Sequence, residues 1–428
     1  MKKYPLATWL LYRIEDVWYV YVQELKRIFS DKGVMLIFFV AVLAYPILYP
    51  FIYYHEAIVD LPIAVVDMNA SHYSREYIRM IDATREVAVS YKCTNMNEAE
   101  SLYHERKIHG IIYIPSDFEK NILTAGAQAT VSVYCDMSSF LYYKNVLQAS
   151  NFVMLDQHVK IQTQRYELLG NDKAMAQTLA QPLRYETVML YNPAGGYPSY
   201  LLPSVLILIL YQTMFFGICM LAGIAREKNG ELYYIDGRKF ERSTFRLVFV
   251  RAFAFFSIYF GLSVYALLLV PRLFDLPHIG NPLDIMRFTV PFLLATAFFS
   301  MTVSVFIRER ETAMVTLLFS SIVLLFLSGA SWPSSNLPQF WADFARLFPS
   351  TYAINGYIHI NSCGASLWET RHEYYVLWLQ TGIYFLTAVG FYAFSGWYYE
   401  KTANLEEHIN SKIDKIAENQ IVKSKRAE

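Results

Sequence analysis

Six runs in this chain are too apolar and too long to belong to a water-soluble core, and they decide what the rest can be. They cover residues 34–54, 201–225, 252–270, 288–307, 313–330 and 376–399, and none contains an Asp, Glu, Lys, Arg or His. At about 1.5 Å per helical residue, some twenty residues cross the ~30 Å hydrocarbon core of a bilayer. The reading is an α-helical integral membrane protein with six transmembrane helices. Composition agrees, since 55% of the 428 residues are hydrophobic and 17% charged, outside the range of an ordinary soluble domain. The first run starts only at residue 34, is too long for the core of a signal peptide, and has no small-residue cleavage site after it. It is expected to remain as the first span.

The first two runs are separated by residues 55–200, which read as an inserted α/β domain because β-rich stretches alternate with helical ones. Strands are expected at 61–67, 87–91, 109–114, 130–135 and 185–191. Helices are expected at 73–83, 97–107 and 117–124, followed by a long one over about 139–169 that could stand away from the membrane as a stalk or break into two. Lys and Arg set the orientation. Residues 1–33, 226–251, 308–311 and 400–428 hold 21 of them, against 16 spread over the much longer segments of the opposite side. By the positive-inside rule both termini are cytoplasmic and the insert is extracytoplasmic. Cys93 and Cys135 then share an oxidising compartment, and spacing leaves open whether they pair.

Before the first span, residues 1–33 carry a helical pattern, with Leu10, Ile14, Val17, Tyr21, Leu25 and Ile28 on one face and Arg13, Asp16, Glu24 and Arg27 elsewhere. Such a helix lies on the membrane surface or packs on protein. After the last span, residues 400–428 form a charged, helix-like tail.

Several chemistries are excluded. Spans without ionisable groups cannot couple an ion gradient or sense voltage. There is no GxxxxGK[ST] loop, HExxH pair, GxSxG elbow or CxxCH site, so no catalytic residue is assigned. Four scattered cysteines without a CxxC argue against a metal site, and zero formal net charge with no local basic run argues against nucleic acid. Gln212 and Gln380 are the conspicuous amides of the spans, and helix–helix hydrogen bonding is their commoner role. Tyr45, Tyr49 and Tyr53 recur every four residues beside Pro46 and Pro50. The first two, with Gln212, are candidates to line a pathway, whereas Tyr53 reads as an interfacial anchor. The loop 226–251 opens on Arg226, Glu227, Lys228, Asn229, Gly230 and Glu231, which suit a stub helix docking on a soluble partner or a solvated loop with the expected charge bias.

Taken together, these stretches resemble the membrane subunits (permeases) of ATP-binding-cassette type-2 exporters, in the subgroup with a large extracytoplasmic domain between the first and second spans. Glu24, Leu25, Lys26 and Arg27 with Ser30, Asp31 and Lys32 are similar to that family's connector helix. LPIAVVDMNASHYSREYIRMI at 61–81, IHGIIYIPSDF at 108–118 and the strand at 130–137 resemble the inserted domain. LYNPAGGYPSYLLP at 190–203 looks like the turn that leads into the second span. Arg226, Glu227, Lys228, Gly230 and Glu231 stand where the family has its coupling helix, with Glu231 in place of the usual Thr. Ser328, Gly329, Pro333, Leu337, Pro338, Phe348, Pro349, Ser350 and Thr351 are similar to its re-entrant segment, here 328–360, with Ser331 and Trp332 departing from the common pattern.

The resemblance implies a half-transporter. A second permease chain, identical or a sister, would complete the pathway among the membrane lipids of the inner membrane. Separate ATPase subunits would bind ATP and Mg, so no cofactor is bound directly. A periplasmic adaptor and an outer-membrane channel are further partners compatible with the insert. The cargo suggested by charge-free spans is amphiphilic or hydrophobic. The rival reading is a membrane sensor or receptor whose extracytoplasmic domain binds a ligand; a membrane enzyme is a weaker third.

Overall fold

The computed structural model describes residues 6–53, 58–124, 126–184, 188–192, 195–229, 244–329, 331–332 and 334–425. They form two compact units, one of residues 1–54 with 190–428 and one of His55–Met189.

The first unit begins with α1, Leu6–Ser30. Asp31 separates it from α2, Lys32–Ile52, by accepting the amides of Gly33 at 2.9 Å and Val34 at 3.0 Å, as an N-cap does. Within α2, residues Leu36–Ala41 are π-helical, and Pro46 and Pro50 follow, each removing an amide from the ladder. In the turn before Pro46 the Tyr265 hydroxyl donates to the Leu43 carbonyl at 2.7 Å, a neighbouring helix serving backbone in an apolar setting. The buried side of α1 differs from the expected face. Val20, Glu24 and Ile28 are buried at i, i+4 and i+8, while Val17 is exposed. Glu24 therefore belongs to the packed stripe, for a reason given below.

The second unit is built on a four-stranded sheet. Its elements are β1 (Leu61–Asp67), α3 (His72–Asp82), β2 (Val87–Cys93), α4 (Met96–His104), β3 (Gly110–Ile114), α5 (Phe118–Leu123), β4 (Ser132–Cys135), α6 (Phe140–Leu168) and α7 (Lys173–Ala180). The strand order is β2-β1-β3-β4, with β1 parallel to β2 and β3, and β4 antiparallel to β3. The run LPIAVVD reads as a strand buried on both faces, and the side chains sort by period two. Ile63 and Val65 pack with Tyr77, Ile78, Ile81 and the α6 residues Val146, Ala149 and Val153. Ala64 and Val66 pack on the other face with Ala99, Ile108 and Ile111. At the end of β1, Asp67 Oδ1 accepts the amides of Asn69 and Ala70 and its Oδ2 accepts the Ser74 hydroxyl, fixing the turn into α3.

α6 is one unbroken helix, the first of the two expected forms, and it packs on its own unit, with Val146, Ala149, Ser150, Val153 and Gln157 buried and Gln157 donating to the Tyr73 carbonyl at 3.0 Å. One expectation is corrected here. The stretch 185–191 is not a strand in its described part, 188–191; residues 185–187 lie outside the described residues. Cys93 and Cys135 are free thiols. They stand on β2 and β4, the two edges of the sheet, with β1 and β3 between. Three interstrand steps of ~4.8 Å separate them by about 14 Å across the sheet, and the register offsets them further along it, beyond twice the reach of a disulfide.

The rest of the first unit is helical: α8 (Tyr197–Asn229), α9 (Thr244–Leu273), α10 (Pro282–Ser304), α11 (Arg310–Leu327), α12 (Gln339–Ala345), α13 (Pro349–Asn361) and α14 (Arg371–Lys425). With α2, six of these helices are long and apolar enough to cross a membrane. Their places in the bundle differ: 89% of the apolar window of α8 and 67% of that of α10 are buried, against 22% for α2 and 20% for α11. α8 and α10 are thus the centre, and α2 and α11 the rim. The last helix runs far past its apolar part because residues 399–425 contain no Pro or Gly to stop it.

Candidate functional site

At one end of the first unit several ionised side chains of the described residues meet. Glu24, on the buried stripe of α1, is only 4% exposed and so is Arg251 on α9; the Arg251 Nε donates to Glu24 Oε2 at 3.0 Å. Arg27, one turn along α1, brings its Nη1 to 3.8 Å from the same carboxylate and donates from Nη2 to the Leu221 carbonyl of α8 at 2.8 Å. Tyr392 of α14, buried, closes the group and shares a 3.3 Å hydrogen bond with Ser304 of α10. A cavity of about 10 Å³, the size of one water, lies among Glu24, Arg27, Arg251, Tyr392, Leu221 and Met301.

Burial alone would push the Glu24 carboxyl up, but the charges of Arg251 and Arg27 and the Arg251 hydrogen bond outweigh it, so its pKa lies below the ordinary carboxylate range. Burial draws the Arg27 guanidinium down, opposed by Glu24. A carboxylate can occupy the packed stripe of α1 because its partner lies on a helix distant in sequence. The helix of the third span begins at Thr244, not at residue 252, and so carries Arg251 into the packed interior.

Next to this group, the short connection between α10 and α11 lies on the end of α8. Arg226 donates from Nη1 to the Ile307 carbonyl at 2.9 Å, and Glu227 Oε1 accepts the Arg310 amide at 2.6 Å. Arg310 Nη2 stands 3.5 Å from Asp31 Oδ1. The structure therefore brings Glu24, Arg27, Arg226 and Glu227 to one end of the bundle. Lys26 is exposed on α1. Lys228 continues the α8 helix, whereas Gly230 and Glu231 lie outside the described residues.

The residues read as pathway candidates are not part of this group. Tyr45 is exposed on α2 with Tyr49 partly so, their rings 6.2 Å apart. Gln212 donates to the Ser321 carbonyl of α11 at 3.3 Å, and Gln380 to the Arg346 carbonyl at 2.9 Å, while Tyr384 one turn on serves the Leu347 carbonyl. The turn at Tyr191 and Asn192 is closed by Asn192, whose Nδ2 donates to the Gly196 carbonyl at 2.9 Å, with Tyr191 in the left-handed region at φ 66°. Sequence reasoning missed Arg251, Arg310 and Tyr392, and placed Asp31 in the connector segment without its partner. The available signal was Glu24 itself, an acid spaced i+4 from Val20 and i−4 from Ile28. Among the described residues no group of three His, Cys, Asp or Glu is arranged to hold a metal ion.

No curated protein and no solved structure matches the chain. Residues 32–393 match the model of a family described as ABC-2 family transporter protein.

Proposed function

Since the chain belongs to the ABC-2 transporter family, a family of membrane permeases, we propose that it is the permease subunit of an ATP-driven exporter that moves an amphiphilic or hydrophobic cargo out across the cell (inner) membrane. Both termini face the cytoplasm, and the unit His55–Met189 is extracytoplasmic, by the distribution of Lys and Arg. Energy comes from separate ATPase subunits that bind ATP and Mg. They dock on the stretch from Arg226 to Glu231. A second permease chain, identical or a sister, completes the pathway, with Tyr45, Tyr49 and Gln212 as candidate lining residues. The extracytoplasmic unit suits docking of a periplasmic adaptor that leads to an outer-membrane channel.

The observation that carries this reading is the meeting of α1 and the end of α8, through Arg27 on the Leu221 carbonyl, beside the stretch assigned to coupling. A push delivered to Arg226 and Glu227 reaches α1, α9 and α11 through hydrogen bonds and ion pairs rather than through loose contacts. Purification of the chain in mild detergent from its own host tests the reading. A P-loop ATPase is expected to co-purify, and the chain alone is expected not to hydrolyse ATP. Repeated recovery of the chain without any ATPase would overturn the proposal.

A further inference from the structure

We infer that Arg310 is a positioning residue that fastens the end of the second span, α8, to the first and fifth spans, α2 and α11, so that the three move as one body when the ATPase acts. The inference rests on the exporter reading above and adds the route by which motion leaves the coupling stretch.

Arg310 opens α11 and is held from two sides. Its backbone amide donates to Glu227 Oε1 of α8 at 2.6 Å, and its guanidinium stands 3.5 Å from Asp31 Oδ1. The same Asp31 oxygen accepts the amides that start α2. Two glycines make the approach possible. A methyl group at Gly223 of α8 would fall 2.8 Å from the Glu309 carbonyl carbon and 2.9 Å from the Arg310 amide, and both are backbone atoms that cannot turn aside. A methyl group at Gly33 of α2 would fall 2.1 Å from Arg310 Nη2. Arg226 adds a third tie, to the Ile307 carbonyl.

The connection between α10 and α11 is therefore seated in a notch with no room for one more carbon. Close-packed protein transmits displacement rather than absorbing it. The helices joined there make the arrangement meaningful. α8 is the most enclosed of the six and cannot slide past its neighbours alone, whereas α2 and α11 turn most of their surface away from the rest of the chain. With α14, at 28%, they are the least enclosed spans, able to meet whatever lies outside this chain, whether a second permease or cargo. The notch thus sits between the place where force enters and two of the spans that can deliver it.

The test uses the chain co-purified with its ATPase, trapped with ADP and vanadate, and reads hydrogen exchange over 32–52 and 310–327. In the wild type both segments are expected to change on trapping. Asp31→Asn keeps an oxygen to accept the Gly33 and Val34 amides but removes the charge that holds Arg310; the change over 32–52 is expected to be lost and that over 310–327 kept, because the Glu227 bond to the Arg310 amide remains. Arg310→Gln is expected to do the same, and Arg310→Lys to restore part of the response. A purely structural loss would raise exchange equally with and without the trap. If either variant assembles and shows the wild-type response in both segments, the inference is overturned, as it is if trapping leaves both segments unchanged in the wild type. Failure to recover any ATPase with the wild-type chain would instead sink the exporter reading.

Discussion

The Glu24–Arg251 pair gives the sharpest quantitative test of how this bundle is held. Both residues are 4% exposed, and the Arg251 Nε lies 3.0 Å from the carboxylate. Removing one partner of a buried pair strands the other charge, at a cost of about 3–5 kcal/mol. Replacing both with apolar side chains of similar volume is often neutral, because the desolvation cost disappears with the attraction. Glu24→Leu and Arg251→Met are therefore each expected to lose about 3–5 kcal/mol, and the double variant to recover most of it. Recovery is incomplete because Arg27 also uses the carboxylate, at 3.8 Å, but its side chain is 24% exposed and keeps the Leu221 carbonyl as partner. Unfolding in mixed micelles titrated with a denaturing detergent, for all four forms, provides the cycle. Additive losses in the double variant, about 6–10 kcal/mol, would refute the argument, since they would mean that each residue stabilises the bundle independently of the other. The pH dependence has a fixed sign. The folded pKa of Glu24 lies below its ordinary value of 4.5. Its contribution is thus fully present above that value and is lost as pH falls through the lower folded pKa. Between pH 5 and 8 this pair is expected to leave stability flat, and Glu24→Leu to remove the loss seen on further acidification.

Three further outcomes are expected. Glu227→Arg combined with Gly230→Pro should abolish transport while the chain still inserts, because charge reversal breaks the bond to the Arg310 amide and Pro at 230 would break the docking helix proposed for this stretch; wild-type transport would remove this stretch from the mechanism. Alkylation under denaturing conditions without reductant should label Cys93 and Cys135 completely, since they lie on opposite edges of the sheet; burial pushes both thiols up, so native labelling should be slow, and an unlabelled pair would contradict the strand order. Asp67→Ala removes three acceptor contacts from the turn into α3 and should destabilise the unit His55–Met189 by about 2–4 kcal/mol, with Asp67→Asn milder because it keeps an acceptor oxygen for the turn amides; the denaturant midpoint for proteolysis within that unit measures both.

How much of this could be read from sequence follows from the range of the forces involved. The six spans are legible because each is defined by its own composition: a run such as 201–225 must be enclosed whatever surrounds it. β1 is legible for the same reason, as Leu61–Val66 is continuous apolar sequence that only a sheet buried on both faces uses well. The stretch 185–191 misled because YETVML alternates like a strand, yet strand formation needs a neighbour to pair with, and its described part, 188–191, pairs with neither edge strand, β2 nor β4. α6 is legible in its length but not in its packing. A helix of 29 residues shows its length in sequence, but the side that packs is set by Val146, Ala149 and Val153 meeting the sheet.

The ionised junction was the hardest to see, and the reason is general to charges in packed helices. Glu24 on an apolar stripe looks like an interruption of the pattern, and Arg251 at the edge of an apolar run looks like positive-inside bias. Each is unfavourable when considered alone, since an unpaired buried charge costs more than any helix stripe returns. Only the partner, 227 positions away, turns both into stable choices. Asp31, Arg310 and Glu227 are less enclosed, yet their bonds too join residues far apart in sequence, 83 and 279 positions, on three different helices. Local pattern therefore marks where the bundle begins and ends, while the charges that tie its helices together become intelligible only as pairs. An acid at a core-spaced position of a helix that leads into a span is, on this account, better treated as a request for a basic partner on another span than as a flaw in the periodicity.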